Sequence, residues 1–229
     1  MVLWYCFCVI FLVFGAACST LQQQRADNQL IAKVVTWNVA DNDRMDGSFT
    51  DAAIDDVLGL SKSNTEIPSL FAIGLQENCY KCDKDKMAKL SQRFLYRINR
   101  NMNDKYSVIG TQGTRMSGWC EWGCKFGTHG SSILIVIGKH ELGATSDVFS
   151  YTEDCSSNFI PNEEKGMAAV KVELLDGRSV CFANAHLDSK KSSYRRQCVK
   201  GMILQVNSML GLYHIIYHII MGIVEVDAI

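Results

Sequence analysis

Three polar residues follow short apolar segments of this sequence, each at the point where a predicted strand gives way to a loop. Asn38 ends the segment VVTWN, Glu77 ends FAIGLQE and His186 ends FANAH. Functional groups of α/β proteins gather where strands end and loops begin, so the three positions favour one common site over three unrelated solvated residues. Carboxylate and amide oxygens suit Mg2+, and a histidine can stabilise charge on a phosphoryl group. The residue types therefore predict a magnesium-dependent phosphate site.

A basic cluster follows His186 in the segment LDSKKSSYRRQ, which contains Lys190, Lys191, Arg195 and Arg196. One interpretation is a solvated helix start, which we prefer for Arg195, and the other is local contact with phosphate. The chain as a whole has 23 basic and 24 acidic residues and a net charge of −1. No specific nucleic-acid binding is expected, because that function usually comes with an excess of basic residues.

The elements that must position these groups alternate between strands and helices. Periodicity predicts strands at 31–39, 69–77, 106–109, 132–137, 167–175 and 178–187, and helices at 51–60, 83–101 and 190–210. The Asp176-Gly177 pair between the last two strands is a strong hairpin signal. Strands that are connected both through helices and through a hairpin predict an α/β domain with a mixed sheet. The segment Gly110–Gly130 is predicted to be an ordered surface loop.

Four ordered blocks of the sequence resemble the inositol polyphosphate 5-phosphatases, a branch of the endonuclease/exonuclease/phosphatase superfamily. The blocks are TWN at 36–38, IGLQE at 73–77, KGMAAVKVEL at 165–174 and FANAHLDSKKSSYRRQ at 182–197. The Lys-Gly and His-Leu…Arg-Arg blocks favour the phosphatase branch. The resemblance implies a mixed-sheet α/β sandwich of the superfamily type and hydrolysis of phosphoric esters, with phosphatidylinositol dephosphorylation as the specific reaction.

The same resemblance implies a role for each matched residue. Glu77 would bind Mg2+, and Asn38 would help to hold the metal and the substrate phosphate. His186 would hydrogen-bond the scissile phosphate and stabilise the transition state. Lys165 and Arg196 would contact ring phosphates through charge-assisted hydrogen bonds. The implied cofactor is Mg2+, and the implied partner is an inositol phosphate or a phosphoinositide headgroup.

Two later blocks of the resembled family are absent from residues 198–229, namely Gly-Asp-x-Asn and Ser-Asp-His. In the family these blocks orient the nucleophilic water and complete the site. We therefore expect the fold to be incomplete at its C-terminal end. We also expect the chain as written to have little or no activity, because losing one group of a catalytic unit removes most of the rate.

The two ends of the chain differ from the predicted domain at residues 30–210. Residues 1–18 are apolar and end in small residues, which predicts a signal peptide and a secreted or secretory-lumen protein, with a signal anchor as the alternative. Residues 211–229 form an apolar tail that we expect to be off-family sequence, produced by truncation or mis-splicing. The alternatives for this tail are a membrane segment, which would provide membrane contact, and a metal pair formed by His214 and His218.

The cysteine content fits an oxidising compartment. Three of the ten cysteines lie within residues 1–18, which leaves an odd number, seven, in the mature chain. Most of these are predicted to form disulfides. A zinc site built from the Cys79–Cys82 and Cys120–Cys124 pairs is the alternative. Cys181, inside an apolar strand, is predicted to be a small buried hydrophobic residue.

Three other functions stay open from the sequence. A secreted nuclease or sphingomyelinase of the same superfamily suits the signal peptide better than a phosphoinositide phosphatase does. A non-catalytic fragment that binds phosphate ligands agrees with the absent blocks. A disulfide-stapled extracellular interaction domain explains the cysteines but leaves the polar residues at the strand ends without a role.

Overall fold

The computed structural model describes residues 30–39, 50–60, 67–78, 84–103, 105–114, 131–151, 166–187 and 192–210. Within these ranges the strands are β1 (Ala32–Asn38), β2 (Leu70–Asn78), β3 (Tyr106–Gly113), β4 (Ser131–Lys139), β5 (Thr145–Tyr151), β6 (Gly166–Glu173) and β7 (Ser179–His186). The helices are α1 (Asp51–Leu58), α2 (Lys84–Met102) and α3 (Ser192–Leu210), with a short 3-10 helix at His140–Leu142.

Several predicted features lie outside the described residues. These are the signal peptide at 1–18, the apolar tail at 211–229, Lys165, and the cysteines Cys79, Cys82, Cys120, Cys124 and Cys155. For Glu77 the structure describes its place in β2.

The strands form two sheets. The first sheet has the order β1-β2-β4-β3, in which β1 and β2 are parallel and the other two pairings are antiparallel. The second sheet is an antiparallel meander of β5, β6 and β7. The mixed sheet that the connections predicted is therefore the first one.

The two sheets stack face to face, and helices cover both outer faces. Strands alternate their side chains between two faces, so each sheet contributes one face to the interior and the other to a helical layer. The interior between the sheets includes Leu70, Ala72, Leu134, Val136, Val170, Val180 and Phe182. The outer face of the first sheet packs against α1 and α2 through Phe71, Ile73, Ile135, Ile54, Phe94 and Ile98. The outer face of the second sheet packs against α3 through Met167, Ala169, Cys181, Cys198, Met202 and Val206.

Local signals in the sequence set the bounds of the first helix. The Thr50 hydroxyl caps the start of α1 by accepting a hydrogen bond from the backbone N–H of Ala53 at 3.1 Å. Gly59 ends the helix in the left-handed region, with φ of 59°, and its N–H bonds to carbonyls of the last turn. Helix α1 is tied to α2 by Arg97, whose Nε donates to Asp55 Oδ1 at 2.8 Å.

The predicted hairpin between β6 and β7 is confirmed, with Val172 paired to Val180 and Glu173 to Ser179. Gly177 occupies the turn with φ of 81°, a conformation that residues with a Cβ rarely adopt. The Asp176 carboxylate accepts from the Arg178 N–H at 3.0 Å, and its hydrogen bonds to Arg178 hold the pKa of that carboxyl below its ordinary value.

The two cysteines among the described residues differ in state. Cys181 is a free thiol, 1% exposed, so its prediction as a buried hydrophobic residue is confirmed. Cys198 on α3 carries a disulfide bond whose second cysteine lies outside the described residues. The pairing pattern of the remaining cysteines stays a prediction.

Two local expectations were wrong. Gly110–Gly113 is not loop but the second half of β3, because these residues pair with β4. Strand β5 was not predicted, since TSDVFSY is a mostly polar strand whose partner within the described residues is β6 alone. The predicted α/β sandwich is otherwise confirmed.

Candidate active site

Asn38 and Glu77 lie at the ends of neighbouring parallel strands. Asn38 of β1 pairs with Gln76 of β2, and Glu77 is the next residue of β2. The backbone N–H of Val39 donates to the Gln76 carbonyl at 3.0 Å, so the two strands stay paired up to this edge. The structure therefore brings together the strand ends that carry Asn38 and Glu77.

A β-bulge interrupts β2 at the same place. Leu75 pairs with Ile133 and Asn78 with Ser131, so three residue steps on β2 match two on β4. A bulge of this kind breaks the strict alternation of side chains and often re-aims a residue beside a functional site. The extra residue falls at Gln76–Glu77, next to the predicted metal ligand.

The contacts between the sheets fix the direction of β7. Gly110 lies against Val170, and a Cβ built on Gly110 would come within 2.8 Å of Val170 Cγ1. Strand pairing connects Gly110 through Val136 to Ala72 of β2. On the second sheet, Val170 pairs with Phe182 of β7. Phe182 therefore lies at the level of Ala72.

One step further along both strands, Asn184 lies against Gly74. A Cβ built on Gly74 would come within 2.6 Å of Asn184 Oδ1. Phe182 is level with Ala72 and Asn184 is level with Gly74, so residue numbers rise in the same direction along β7 and β2. The two strands therefore run in the same direction. The end of β7, which carries His186, therefore reaches the edge that carries Asn38 and Glu77. Alternation places His186 on the same face of β7 as Asn184 and Phe182, towards the interior.

The interior changes from apolar to polar towards this edge. Gln76 is 9% exposed and Asn184 is 5% exposed, and the two side chains bond across the sheets. Gln76 Nε2 donates to Asn184 Oδ1 at 2.5 Å and to Thr36 Oγ1 at 2.6 Å. Asn184 Nδ2 donates to the carbonyls of Leu75 at 2.9 Å and Ile133 at 3.0 Å. We call Thr36, Gln76 and Asn184 the inter-sheet clasp.

The sequence analysis missed the inter-sheet clasp, although a signal for it was present. Asn184 alternates with Val180 and Phe182, which are buried between the sheets, so its amide had to find hydrogen-bond partners in the interior. Thr114 and Ser132 add two more polar side chains at the same edge, since β3 ends and β4 begins there. Both are fully buried, and their hydroxyl oxygens have no hydrogen-bond partner among the described residues.

Arg196 lies on the helix that follows β7 in the chain. It is exposed on α3, in the helical layer outside the second sheet, near the start of the helix. Together with Arg195 and Lys200 it lines a groove whose other side chains include Val199 and Ile203. Helix α3 begins six residues after His186, so Arg196 lies in the outer helical layer, in the part of α3 that follows the end of β7. Arg195 is partly buried, so the solvated helix start that we preferred for it describes Arg196 better.

Cys181 has no place in the candidate chemistry. Burial within β7 raises the pKa of its thiol from 9.0 to about 12, with a small opposing effect from Lys171. A nucleophile or a metal ligand would need the thiolate. Cys181 therefore stays a neutral thiol packed against α3.

The residue types at this edge fit a hard divalent cation. Position 38 is an amide residue and position 77 a carboxylate residue, and oxygen atoms of these types are the ligands that Mg2+ prefers. Among the described residues there is no group of three or more histidine, cysteine, aspartate or glutamate side chains that could hold a metal by themselves. A cation here would complete its shell with water and substrate oxygens, as Mg2+ commonly does. No helix in the described ranges has the length and hydrophobicity needed to cross a bilayer.

Comparison with protein families matches residues 35–216 to the Endonuclease/Exonuclease/phosphatase family 2. The chain belongs to this family. Members of the endonuclease/exonuclease/phosphatase family are generally hydrolases, which confirms the coarse prediction of a phosphoric-ester hydrolase or nuclease. They typically use divalent metals. Comparison with curated proteins gave no match.

Proposed function

We propose that this endonuclease/exonuclease/phosphatase family chain binds Mg2+ at the edge formed by β1, β2 and β7 and hydrolyses inositol polyphosphates or phosphoinositide headgroups. The observation that carries the proposal is the convergence of Asn38, Glu77 and His186, three residues from distant parts of the chain, at one edge of the sandwich.

Each residue has a chemical task in this proposal. Glu77 and Asn38 hold the metal, which neutralises negative charge on the phosphoryl oxygens when it is bound. His186 hydrogen-bonds the scissile phosphate and stabilises the charge that develops in the transition state. Lys165 and Arg196 donate to phosphates that do not react, and so favour a substrate with several phosphate groups.

Mg2+ binding is the first property to measure, because it does not depend on turnover. Calorimetric titration of the wild-type chain should show one Mg2+ site, and Glu77→Gln should weaken it at least about tenfold through loss of the carboxylate charge. Glu141→Gln is the matched control, since Glu141 is an exposed carboxylate just beyond β4, at the opposite end of the sandwich. Equal Mg2+ affinity in all three proteins would overturn the proposed metal site.

Substrate class requires a second comparison. Release of phosphate from inositol trisphosphate, although expected to be slow in the chain as written, should exceed nicking of plasmid DNA and cleavage of sphingomyelin, and His186→Ala should abolish it. Faster attack on DNA or sphingomyelin would support the alternative, a secreted nuclease or sphingomyelinase. Mg2+-dependent binding of inositol trisphosphate without turnover would support the non-catalytic fragment, which the absent Gly-Asp-x-Asn and Ser-Asp-His blocks favour.

The contribution of the basic residues can be separated from metal binding. Lys165→Ala and Arg196→Ala should weaken binding of inositol trisphosphate and leave Mg2+ affinity unchanged. Lys89→Ala, at an exposed position of α2 on the other side of the molecule, is the control. Loss of affinity in the Lys89 variant alone would contradict the assignment. Arg196 is the more exacting test, because the structure places it in the outer helical layer.

Secretion completes the proposal. A chain with an epitope tag at its C-terminus, expressed in eukaryotic cells, should appear in the medium or the secretory lumen with a new N-terminus near residue 18. An uncleaved N-terminus in a membrane fraction would indicate the signal anchor.

A further inference from the structure

We propose that the inter-sheet clasp of Thr36, Gln76 and Asn184 is a positioning device, which sets the three strand ends of the candidate site relative to one another. Each member of the clasp precedes a site residue by one or two positions: Thr36 precedes Asn38, Gln76 precedes Glu77, and Asn184 precedes His186. The inference rests on the proposed function for the meaning of the site, but its geometry is independent of any metal.

The hydrogen bonds of the clasp admit one arrangement of its amides. Both protons of Gln76 Nε2 are used, one towards Thr36 Oγ1 and one towards Asn184 Oδ1. Both protons of Asn184 Nδ2 are also used, towards two backbone carbonyls. Turning the Asn184 amide over would place its oxygen against those carbonyls, and turning Gln76 over would place an oxygen against Asn184 Oδ1. The clasp therefore fixes its own side-chain orientations.

The carbonyls that Asn184 bonds belong to directly paired residues. Leu75 and Ile133 are partners in the β2–β4 register, immediately before the bulge at Gln76–Glu77. The Asn184 side chain of the second sheet thus hydrogen-bonds two strands of the first sheet, β2 and β4, at the last regular pair before Glu77. Gln76 connects this group to β1 through its hydrogen bond to Thr36. The three strands that carry the candidate site residues are joined by side chains as well as by packing.

The cost of this arrangement supports a specific role. Buried amides gain little net stability over apolar side chains of similar shape, because they must first lose their water. Two of the three clasp residues are almost fully buried, next to the apolar contacts that Val180 and Phe182 of β7 make between the sheets. Hydrogen bonds are directional, so these bonds define one register between the two sheets. Hydrophobic contact alone does not define a single register.

A matched pair of variants separates positioning from stability. Thr36→Val removes the clasp hydroxyl and keeps the shape of the side chain. Thr111→Val makes the same change on β3, where the Thr111 hydroxyl bonds Ser91 Oγ at 2.8 Å. Each variant loses one partly buried hydroxyl hydrogen bond, so both should lose similar thermal stability. Only Thr36 belongs to the clasp, so only Thr36→Val should disturb the site. Thr36→Ser keeps the hydroxyl and should restore the wild-type site, and Gln76→Met should break the clasp at its centre.

The first readout is the imidazole resonance of His186 in histidine-selective NMR spectra, assigned with His186→Gln, without any metal. Thr36→Val and Gln76→Met should shift or broaden this resonance, while Thr111→Val and Thr36→Ser leave it in place. The second readout is calorimetric titration with Mg2+. Since loss of groups that orient metal ligands typically weakens binding about 10- to 100-fold, Gln76→Met should fall in that range and Thr111→Val should change affinity less than about twofold.

The outcomes distinguish the two proposals. If the His186 resonance responds to Thr36→Val and Thr111→Val alike, or to neither Thr36→Val nor Gln76→Met, the clasp is structural only and the inference is wrong. If wild-type chain binds no Mg2+, the proposed function fails, and the His186 resonance alone decides the positioning role. If Gln76→Met does not fold, the Thr36→Val and Thr36→Ser comparison still decides it.

Discussion

The close approach of Gly74 to Asn184 leads to a quantitative prediction about coupling between the sheets. A methyl group at position 74 would lie 2.6 Å from Asn184 Oδ1 and 2.7 Å from its Cγ, closer than real contacts allow. In Gly74→Ala the Asn184 side chain must therefore leave its place and lose three buried hydrogen bonds. Overpacking costs about 1–3 kcal/mol, and each buried group left unpaired costs about 1–3 kcal/mol. We expect Gly74→Ala to lower the free energy of unfolding by about 3–5 kcal/mol.

The same methyl group should be tolerated when the Asn184 side chain is already absent. Asn184→Ala alone should cost about 2–4 kcal/mol, because it vacates space and leaves Leu75, Ile133 and Gln76 without one partner each. The methyl group added at position 74 then enters the vacated space, so adding Gly74→Ala to Asn184→Ala should cost less than about 1 kcal/mol. The two changes are therefore expected to couple by at least about 2 kcal/mol, in the upper part of the range for residues in contact or above it.

Urea unfolding of the four proteins of this double-mutant cycle, followed by tryptophan fluorescence, measures the coupling. Gly110→Ala is the control, because its added methyl would meet Val170 at 2.8 Å and Ser146 at 3.0 Å and not Asn184. Its cost should be the same with and without Asn184→Ala. Additive costs for Gly74→Ala and Asn184→Ala, within about 0.5 kcal/mol, would refute the close approach of the two sheets at this point.

Three further predictions concern stability. Burial raises the pKa of Cys181 from 9.0 to about 12, so as the pH rises the thiol ionises in the unfolded chain before it ionises in the folded protein. The free energy of unfolding should therefore fall from about pH 9 upwards, by up to about 4 kcal/mol at 1.36 kcal/mol per pKa unit. Cys181→Ala should lack this alkaline loss in parallel urea titrations, and identical pH profiles would contradict it. Gly177→Ala should cost about 1 kcal/mol by thermal unfolding and Gly177→Asn less, because φ is 81° and, apart from its chain neighbours, no atom of the described residues lies within 4 Å of an added Cβ; equal costs would point to a contact instead. Met202→Ala should cost about 2–5 kcal/mol, whereas Leu204→Ala, on the exposed side of the same helix, should change stability by less than about 0.5 kcal/mol, and the reverse order would mean that α3 packs through its other face.

The sequence predicted the elements whose signals are local. Apolar runs located β1, β2 and β4 to within a residue or two, and the Asp176-Gly177 pair located the hairpin of β6 and β7. Strand β5 escaped because its polar side chains at an edge position give no clear alternation: Thr145, Ser146 and Asp147 are consecutive. Its stability comes from pairing with β6, which is a tertiary property.

The site could be predicted in part for a related reason. The end of a strand is visible in the sequence, so Asn38, Glu77 and His186 could be selected as candidates. That β7 runs in the same direction as β2, although it belongs to another sheet, depends on how the sheets stack and not on any local pattern. The clasp partners Gln76 and Asn184 were likewise invisible as a pair, because their bond joins two strands far apart in the chain.

The distance along the chain between the clasp partners also bears on the order of folding. Gln76 and Asn184 are 108 residues apart, and Thr36 lies a further 40 residues before Gln76. Bonds of such long range must overcome the entropy of closing a large loop before they form, and contacts of this kind slow folding. During synthesis β1 and β2 can pair long before β7 leaves the ribosome, so Asn38 and Glu77 become neighbours early. The edge receives His186 only when the second sheet docks, which makes completion of the candidate site one of the last events in the folding of this domain.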